Sequence, residues 1–484
     1  MNKKNIVIIS SIIVILILIS VLVGYKTFKK DEIISFYIPQ NYSENTNILV
    51  ENEPVLKNDN ILTPITLTTT RPVSITVGDE TKEIKINNLS KKHFIKLDIY
   101  YNDRVVNYLL RTLPDTFPEI TTNNKKGLKG YVLTCFDGFR LVTPSYVAVF
   151  DMNGKIVYYR GNNPPNYSMY HFKKVTLPNG KIRYIAHIQT PKTMDDQWIL
   201  GYQLIMDEKF RPIDKVKVLK TDKHEELMAE EHDIIMLDDG HYILIGYDMK
   251  DEKLPNGEVA QVAHDVIQEQ KDGKVILDWN ELDYPIIKQM AYENLPQFHP
   301  IRSDYLHVNS LALDPKDDNL IVSSASGYYV MKINRKTGEI MWILGGKLNQ
   351  FEGIPEGLDF VRQHDVHYLT DGRLVMYDNH IANLDERERD YHKVDFENKN
   401  ARILIYDLDE NNKKVKSAKA IPLKYRNNYL GSIQELEDGK WFVGCGNYER
   451  YSAKMIDENN DVLWTSSVKE PHVSYRSYYF KTLD

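Results

Sequence analysis

The sequence predicts an all-β protein, a six-bladed β-propeller preceded by a small β-sandwich-like domain and an N-terminal transmembrane helix. Three observations predict this architecture. Residues 6–25 are uncharged and almost wholly apolar. Short runs between residues 61 and 113 alternate apolar and polar side chains, which is the period of a half-buried strand. Beyond residue 130, a pair of β-hairpins recurs along the chain, and radial repetition of four-stranded units is typical of a propeller.

The N-terminal segment 6–25 is long enough to cross a bilayer as a helix, which takes about 20 apolar residues. Lysines flank it on both sides. A cleaved signal peptide is the alternative, but it would have a shorter apolar core and small residues at its cleavage site. The segment contains no alanine. The sequence therefore predicts a short cytoplasmic N-terminus at residues 1–5, an uncleaved single-pass anchor in the cell membrane, and a bulk that lies outside the cytoplasm.

Four further regions follow the anchor. Residues 26–60 are polar and irregular, so they are interpreted as a spacer. Residues 61–113 contain alternating runs such as Phe94–Tyr101 and form the predicted β-sandwich-like domain. Residues 114–130 are predicted to be a linker, and residues 131–484 the six-bladed propeller.

The propeller prediction depends on turn residues between strands, because Asn-Gly and Asp-Gly pairs are the strongest short-range hairpin signal. One set of turns lies at Asn179-Gly180, Asp239-Gly240, Asp371-Gly372 and Asp438-Gly439, with a looser copy at Asp317-Asp318. A second set of hairpins alternates with the first and begins near Val147, Tyr202, Val266, Val330, Ile403 and Ala453. Six units of two hairpins predict six blades. A pair of β-sandwiches is the alternative, and the regular alternation argues against it.

Composition excludes one broad class of function. Hydrophobic residues make up 42% and charged residues 27% of the chain, as in an ordinary globular protein. The net charge of −7 lacks the basic surface that a nucleic-acid-binding protein needs, so no nucleic acid partner is expected. The two cysteines, Cys135 and Cys445, lie near the start and the end of the predicted propeller. They are either two buried thiols or a disulfide that closes the ring.

Three histidines occupy equivalent places in successive repeats. His232, His307 and His364 each lie seven residues before the aspartate that follows their strand. Because the first strand of a blade lines the central channel, the three imidazoles are expected at the same mouth of that channel. Such a set has three interpretations. It can bind Zn, Cu or Fe, it can perform nucleophilic and acid–base chemistry, or it can simply be hydrogen-bonded in a polar channel.

Residues around these histidines carry a recognisable pattern. The segments are Glu231-His232-Asp233, Asp304-Tyr305-Leu306-His307-Val308-Asn309-Ser310, Lys336-Thr337-Gly338-Glu339-Ile340-Met341-Trp342-Ile343-Leu344-Gly345-Gly346 and Gln363-His364-Asp365. Here the chain resembles the bacterial arylsulfate sulfotransferases, which do not use the soluble nucleotide sulfate donor. The resemblance extends over roughly residues 60–484, and the long third segment is its most specific part.

The resemblance implies a sulfotransferase that moves a sulfuryl group from a phenolic sulfate ester to a phenol through a sulfohistidine intermediate. By motif position, His364 matches the nucleophile and His232 and His307 match the flanking catalytic histidines. Asn309 matches the substrate-binding asparagine. The implied partners are small phenols and aryl sulfate esters, and the implied reaction needs no cofactor and no metal. The oligomeric state stays open, with a homodimer as one option.

One position departs from the family pattern. The family carries an arginine after two serines, and this arginine contacts the sulfuryl oxygens; here the run is Ser323-Ser324-Ala325. Losing one such donor typically costs about 10²–10³ in rate. Two alternatives therefore stay open, a metal-dependent propeller enzyme that uses the three histidines as ligands and a binding propeller that has lost catalysis. Arg362, close in sequence to His364, is a candidate substitute cation, although a surface position on a blade is the simpler expectation.

Overall fold

The structure is a computed structural model. It describes the backbone of strands between residues 33 and 112, and then the ranges 117–137, 144–161, 168–190, 199–253, 257, 259–290, 302–381, 400–446, 450–469 and 472–483. The chain forms two compact units, Met1–Asp115 and Thr116–Asp484. The predicted N-terminus and anchor, residues 1–25, lie outside the described residues. Within the described part of the chain, no helix is both long and apolar enough to span a bilayer.

The first unit consists of short strands. They are β1 (Ile33–Tyr37), β2 (Ile48–Val50), β3 (Glu53–Pro54), β4 (Leu56–Lys57), β5 (Asn60–Ile61), β6 (Thr66–Leu67), β7 (Val73–Val77), β8 (Glu80–Ile84), β9 (Phe94–Tyr101) and β10 (Arg104–Thr112). Two four-stranded sheets, β1-β9-β10-β6 and β3-β2-β7-β8, accompany a β4–β5 pair. Strands β1 to β4 lie within residues 26–60, where the sequence predicts an irregular spacer. Strand β1 pairs in parallel with the distant β9, and a short sequence window cannot reveal such a partner.

The second unit is an all-β, propeller-like arrangement, as the sequence predicts. Four sheets are separate blades of four or five strands. Their strands are β11 (Ile120–Asn123) with β32 (Ser432–Glu435), β33 (Trp441–Gly444), β34 (Ala453–Ile456) and β35 (Val462–Val468); β12 (Tyr131–Phe136), β13 (Tyr146–Asp151) and β14 (Ile156–Gly161) with β36 (Ser477–Phe480); β24 (Val308–Leu313), β25 (Leu320–Ser324), β26 (Tyr329–Ile333) and β27 (Ile340–Gly345); and β28 (His364–Tyr368), β29 (Leu374–Asp378), β30 (Arg402–Asp409) and β31 (Lys414–Pro422).

The remaining sheet has nine strands. These are β15 (Met169–Thr176), β16 (Ile182–Gln189), β17 (Gly201–Met206), β18 (Pro212–Val216), β19 (Ala229–Asp238), β20 (His241–Lys253), β21 (Val259–Lys271), β22 (Lys274–Asn280) and β23 (Arg302–Asp304). The prediction of six separate blades is therefore not met, because β17 and β19 pair at Gly201 and Ala229 and so join two hairpin pairs into one sheet. A 3₁₀ turn at Glu281–Asp283 and a short helix, α1 (Ile286–Met290), follow β22.

Two strand exchanges close the ring. The C-terminal strand β36 pairs with β12 in the blade that begins the unit, and β11 pairs with β35 in the blade that ends it. Strand β11 falls in residues 114–130, which the sequence interprets as a linker. Cys135 and Cys445 are both free and buried, and burial raises the pKa of each thiol to about 11. Strand exchange rather than a disulfide joins the ends.

The blades pack face to face through apolar clusters. Ile245 and Trp279 of the nine-stranded sheet share one cluster with Val322 and Met331 of the next blade. Three more clusters join the blade of β12–β14 to the nine-stranded sheet, the blade of β24–β27 to that of β28–β31, and the blade of β28–β31 to that of β32–β35. Alternate residues of a strand point to opposite faces, so each blade can present one apolar face to each neighbour.

The inner strands are also tied to one another near the axis. In each tie, a side chain at the start of one inner strand accepts the backbone N–H of the next. The ties are Leu311 N–H to Asp233 Oδ2 (3.1 Å), Val366 N–H to Ser310 Oγ (3.0 Å), Ile433 N–H to Asp365 Oδ2 (2.8 Å) and Ser477 N–H to Ser432 Oγ (3.0 Å). We call these four bonds the axial belt. Five of its residues lie within four positions of a predicted histidine, so the belt fixes the backbone that carries the histidines; these are Asp233, Ser310, Leu311, Asp365 and Val366.

Candidate active site

The histidines lie at the starts of inner strands that neighbour one another around the axis. His232 is in β19, His307 directly precedes β24, and His364 begins β28. The ring centroids of His232 and His307 are 4.9 Å apart, with the ring planes at 73°. His364 lies close enough to His232 for the charge of His232 to lower its pKa. The structure thus brings together the three side chains that the sequence spacing predicts.

The backbone is irregular at all three positions. The strand register shifts between Ala229 and Ile234, between Val308 and Ser310, and between His364 and His367. A bulge of this kind breaks the strict alternation of a strand and redirects side chains. His307 and Asp365 both have a φ of 51°, which is uncommon for residues other than glycine. The regular hairpins therefore begin only after the segment that carries the histidines.

His364 is held as a neutral ring of defined tautomer. Its Nδ1 faces the Oδ1 of Asn379 at 2.7 Å and the carbonyl oxygen of Arg362 at 3.0 Å. The amide nitrogen of Asn379 donates to two carbonyl oxygens, which fixes the amide orientation. Because both partners of Nδ1 are acceptors, Nδ1 carries the proton. Nε2 then keeps its lone pair, which accepts the N–H of Leu430 at 3.3 Å.

The surroundings of His364 keep it uncharged. The residue is 4% exposed. Burial, followed by the charge of His232, lowers the pKa of His364 to about 3, against an ordinary histidine value of about 6.5. A neutral imidazole with its lone pair on Nε2 is the form that a nucleophilic histidine needs.

His307 has the opposite electrostatics. Its Nδ1 lies 2.8 Å from Oδ2 of Asp304, and its backbone N–H donates to Oδ1 of the same carboxylate at 2.7 Å. Burial alone would lower the pKa of His307, but the charge and hydrogen bond of Asp304 outweigh burial and raise it. Its side chain is 31% exposed, so the ring can reach solvent or a ligand. His307 is therefore suited to hold and release a proton.

His232 is buried beside two glutamates. Its Nδ1 bonds to Oε1 of Glu230, and its backbone N–H donates to Oε2 at 2.7 Å. Burial lowers the pKa of His232 to about 4, while burial raises the pKa of Glu230 to about 7. Burial and the neighbouring Glu230 raise the pKa of Glu231 well above its usual range. The pair His232–Glu230 is thus poised to share one proton rather than to exist as two separate charges.

One group in the described part of the chain has the donors for a metal ion. Glu230, Glu231 and His232 each offer one ligand atom, and these atoms all lie within 4.8 Å of one another. Two carboxylate oxygens and one imidazole nitrogen suit a divalent transition metal. Oε2 of Glu231 has no hydrogen-bond partner, so it is open to such an ion. The three predicted histidines do not together form a group of this compactness among the described residues.

Asn309 is fully buried, and its side chain points to the neighbouring strand. Its Nδ2 donates to the carbonyl oxygen of Gln363 at 2.7 Å, directly before His364, while its Oδ1 has no partner. These contacts favour a role in placing His364. The predicted contact of Asn309 with substrate stays a prediction.

The position of the missing arginine lies next to His307. The backbone N–H of Ala325 donates to the carbonyl oxygen of His307 at 3.1 Å, and Ala325 is 8% exposed. Arg362 is partly buried, and its carbonyl oxygen bonds to His364 as described above. A different arginine, Arg476, is 1% exposed, and its positive charge contributes to lowering the pKa of both His232 and His364.

Sequence reasoning missed several residues of the site. Asp304 appears in the motif of His307, but nothing in the spacing assigned it a role. Asn379 and Arg476 lie far from the histidines they serve, 15 residues after His364 and at the C-terminal end respectively. Tyr475 packs its ring 5.6 Å from that of His232. A histidine with an aspartate three residues earlier was the one local signal available.

Curated proteins and solved structures give no indication of the function of this chain. A search of curated proteins finds no match. Among solved structures, a protein of unknown function from Bacteroides caccae is 10% identical and covers 73% of this chain and 100% of its own, with a TM-score of 0.39. The periplasmic gluconolactonase PpgL of Pseudomonas aeruginosa is 10% identical and covers 72% and 99%, with a TM-score of 0.36. At TM-scores this low, neither likeness bears on function.

The family comparison is more informative. The sequence model described as "Arylsulfotransferase (ASST)" matches residues 119–479. This span begins one residue before β11, includes all three histidines and ends within the closing strand β36. The match supports aryl sulfotransferase activity in general terms. Since it covers well over half of the sequence, the chain belongs to the arylsulfotransferase family.

Proposed function

We propose that this protein transfers a sulfuryl group from an aryl sulfate ester to a phenol, with His364 as the covalent carrier. The observation that supports this most directly is the state of His364. Two acceptors hold its Nδ1 proton, burial keeps the ring neutral, and the Nε2 lone pair meets one backbone N–H at 3.3 Å. Few buried histidines in a core need this combination.

The first half of the reaction makes the intermediate. Nε2 of His364 attacks sulfur, an N–S bond forms, and the S–O bond to the aryl group breaks with its electron pair on the leaving phenolate. His307 donates its proton to that oxygen. Asp304 favours the protonated ring before transfer, which supports His307 as the general acid.

The second half returns the groups to their starting states. The acceptor phenol gives its proton to the now neutral His307, and its oxygen attacks sulfur. The N–S bond breaks, and its electron pair returns to Nε2 of His364. Protonation of His307 and the neutral lone pair of His364 are both restored, so no proton or electron is left over.

The sulfuryl oxygens need donors, and Ala325 supplies no side-chain donor. Asn309 is the predicted substrate-binding group, and the N–H of Leu430 already points at Nε2 of His364. Since removal of one oxyanion donor costs about 10²–10³ in rate, we expect transfer slower than that of an enzyme with the arginine. The proposed acceptors and donors are small phenols and aryl sulfate esters, without a cofactor.

Purified full-length protein with nitrophenyl sulfate and excess phenol tests the proposal. We expect phenol-dependent release of nitrophenol and, in the absence of phenol, a mass increase of one sulfuryl group on the peptide that contains His364. A His241→Asn variant is the matched control, because His241 pairs with Glu269 on an outer hairpin. Absence of release and of any adduct across several aryl sulfates would refute sulfotransfer.

A metal-dependent reaction is the second candidate, and one observation favours it. Glu230, Glu231 and His232 would hold a divalent ion, because their ligand atoms lie within 4.8 Å of one another and Glu230 and His232 are buried. Metal analysis of the purified protein, followed by the transfer assay after chelation, separates the two proposals. Stoichiometric metal that is lost in Glu231→Gln, together with loss of activity on chelation, would favour the metal. A binding propeller without catalysis would bind aryl sulfates but give neither result.

Three further proposals concern architecture. We propose that the nine-stranded sheet counts as two blades, since β17 and β19 share only the Gly201–Ala229 pair, and this division gives six blades.

We also propose that residues 6–25 anchor the protein in the cell membrane with its bulk outside the cytoplasm. Protease accessibility of the C-terminal unit in intact cells tests the orientation, and light scattering in detergent tests for a homodimer.

A further inference from the structure

We propose that Arg476 is the positioning residue that sets the relative placement of the three histidines. The proposal rests on the proposed function, because it assigns Arg476 a role in that reaction. Arg476 is 1% exposed, and its Nη1 and Nη2 already donate to protein acceptors, so a positioning role rather than a direct contact with substrate follows. Its segment, directly before β36, belongs to the blade that closes the ring.

The guanidinium contacts the backbone segments of all three histidines. Its Nη1 donates to Oδ2 of Asp233 at 3.1 Å and lies 3.5 Å from Oδ1 of Asp365. Its Nη2 donates to the carbonyl oxygen of Asn309 at 2.6 Å. Asp233 directly follows His232, Asp365 directly follows His364, and Asn309 lies two residues after His307. One planar cation thus joins three inner strands.

The same contacts involve the axial belt. The two aspartates that face Arg476 each use Oδ2 to accept a backbone N–H of the next inner strand. Asn309, whose carbonyl oxygen binds Arg476, uses its side chain to hold the carbonyl oxygen of Gln363, which precedes His364. A displacement of the guanidinium would therefore move the backbone next to His364 through its contacts with both Asp365 and Asn309.

Charge makes the arrangement sensitive to Arg476. Asp233 has a second cation, because Nζ of Lys173 donates to its Oδ1 at 2.8 Å. In the part of the chain that the structure describes, the cation that faces Asp365 is Arg476. Removing the guanidinium would leave a buried carboxylate without its counter-ion beside the nucleophile, and an uncompensated buried charge is strongly unfavourable. The local structure would then rearrange or bind a proton.

Two substitutions test the role through kinetics. In Arg476→Gln, we expect kcat of aryl sulfate transfer to fall about 10²-fold, the loss that a misplacement of about 1 Å produces, with little change in KM. In Arg476→Lys, the charge remains but one ammonium cannot match the fork of donors, so we expect a smaller fall in kcat. A purely structural role in folding would lower the folded fraction without this split between kcat and KM.

A matched control uses another buried arginine. Arg183 makes a two-pronged contact with Asp239, at 2.7 and 2.8 Å, on the hairpins distant from the histidines. Arg183→Gln should lower the denaturation midpoint and leave kcat of the folded enzyme unchanged. Wild-type kcat in Arg476→Gln, or a rise in KM with unchanged kcat, would overturn the proposal.

A measurement that does not need catalysis separates this proposal from the proposed function. Nitrogen NMR of ¹⁵N-histidine-labelled protein reports the tautomer and environment of each imidazole. If the wild-type protein transfers no sulfuryl group, the proposed function fails. Shifts of the His232 and His364 signals in Arg476→Gln, absent in Arg183→Gln, would still support positioning, and unchanged signals would overturn it.

Discussion

His307 and His364 start equivalent strands and have the same side chain, yet the structure shifts their pKa values in opposite directions. Nδ1 of His307 faces the carboxylate of Asp304, while Nδ1 of His364 faces the amide oxygen of Asn379. A carboxylate stabilises the protonated ring, whereas an amide oxygen accepts the Nδ1 proton without adding charge. The acceptor at Nδ1 and the burial of the ring together therefore set the direction in which the pKa of each histidine shifts.

Exposure strengthens the difference. The side chain of His307 is 31% exposed, so solvent helps to support its charge, and His364 is 4% exposed. Burial is the largest cause of the lowered pKa of His364, and the Asp304 carboxylate is what reverses the same effect in His307. The two rings differ in pKa because their exposure and the acceptors at their Nδ1 atoms differ.

The largest expected effect is the loss of the nucleophile. In His364→Ala, transfer should fall by at least about 10⁴-fold, because the covalent route is removed and only binding and charge effects remain. Nitrophenol release and intact mass measure this loss. A sulfated protein that persists in the variant would mean that another residue is the carrier.

The second expected effect comes from replacing the carboxylate that faces His307 by an amide, like the amide that faces His364. Asp304→Asn should lower the pKa of His307 and reduce kcat by about 10²-fold, the lower end of the usual contribution of a general acid. The loss should shrink for esters of acidic phenols, whose leaving phenolate needs no proton. Equal losses for good and poor leaving groups would contradict the assignment of His307 as the acid.

A third change adds the charge that the family pattern has at position 325. Ala325→Arg should raise kcat by up to about 10²-fold if a sulfuryl donor is limiting. Ala325→Gln serves as the control, since it has a similar length without the charge. Equal rates in both variants and the wild type would mean that the site already supplies the donor.

A fourth change replaces the amide that faces His364 by a carboxylate, like the carboxylate that faces His307. Asn379→Asp should raise the pKa of His364, so the acid limb of the rate profile should move to higher pH, and the rate near neutral pH should fall by roughly 10-fold per pKa unit above that pH. The variant also loses two buried amide donors, at a cost in stability of about 1–3 kcal/mol each. An unmoved acid limb would separate the rate profile from His364.

The smallest effect concerns stability. The folded pKa values of His364 and His232, about 3 and about 4, lie below the unfolded value of about 6.5. Below about pH 6.5 the unfolded chain therefore binds more protons, and the free energy of unfolding should fall on acidification by up to about 1.4 kcal/mol per pH unit for each histidine. His307 has a raised pKa, so its contribution is present below its unfolded pKa and is lost as the pH rises through its folded pKa.

Urea denaturation at a series of pH values measures this dependence. His364→Gln removes one titrating group and should flatten the slope below about pH 6.5. An identical slope in wild type and His364→Gln would show that His364 does not titrate as its burial requires.

Some of the architecture could be predicted because its signals are local. Turn pairs such as Asp239-Gly240 and Asp371-Gly372 mark hairpins within a few residues, and both glycines have a φ that other residues rarely adopt. The equal spacing of His232, His307 and His364 from their turns then placed all three at the starts of inner strands. Strands β1 and β11 escaped prediction, because their pairing partners, β9 and β35, lie 60 or more residues away in the sequence.

The candidate site also divides into features that local motifs predict and features that depend on residues distant in the sequence. By itself, the sequence determined the β-hairpin repeat, the family and the set of three histidines, since all of these are written in short motifs. Only the tertiary structure decided that Asp304 raises the pKa of His307, that burial lowers the pKa of His364, that Arg476 contacts the three strands and that Cys135 and Cys445 stay free. The physical reason is that pKa values and side-chain placement depend on burial and on partners distant in sequence, which only the closed ring brings into contact.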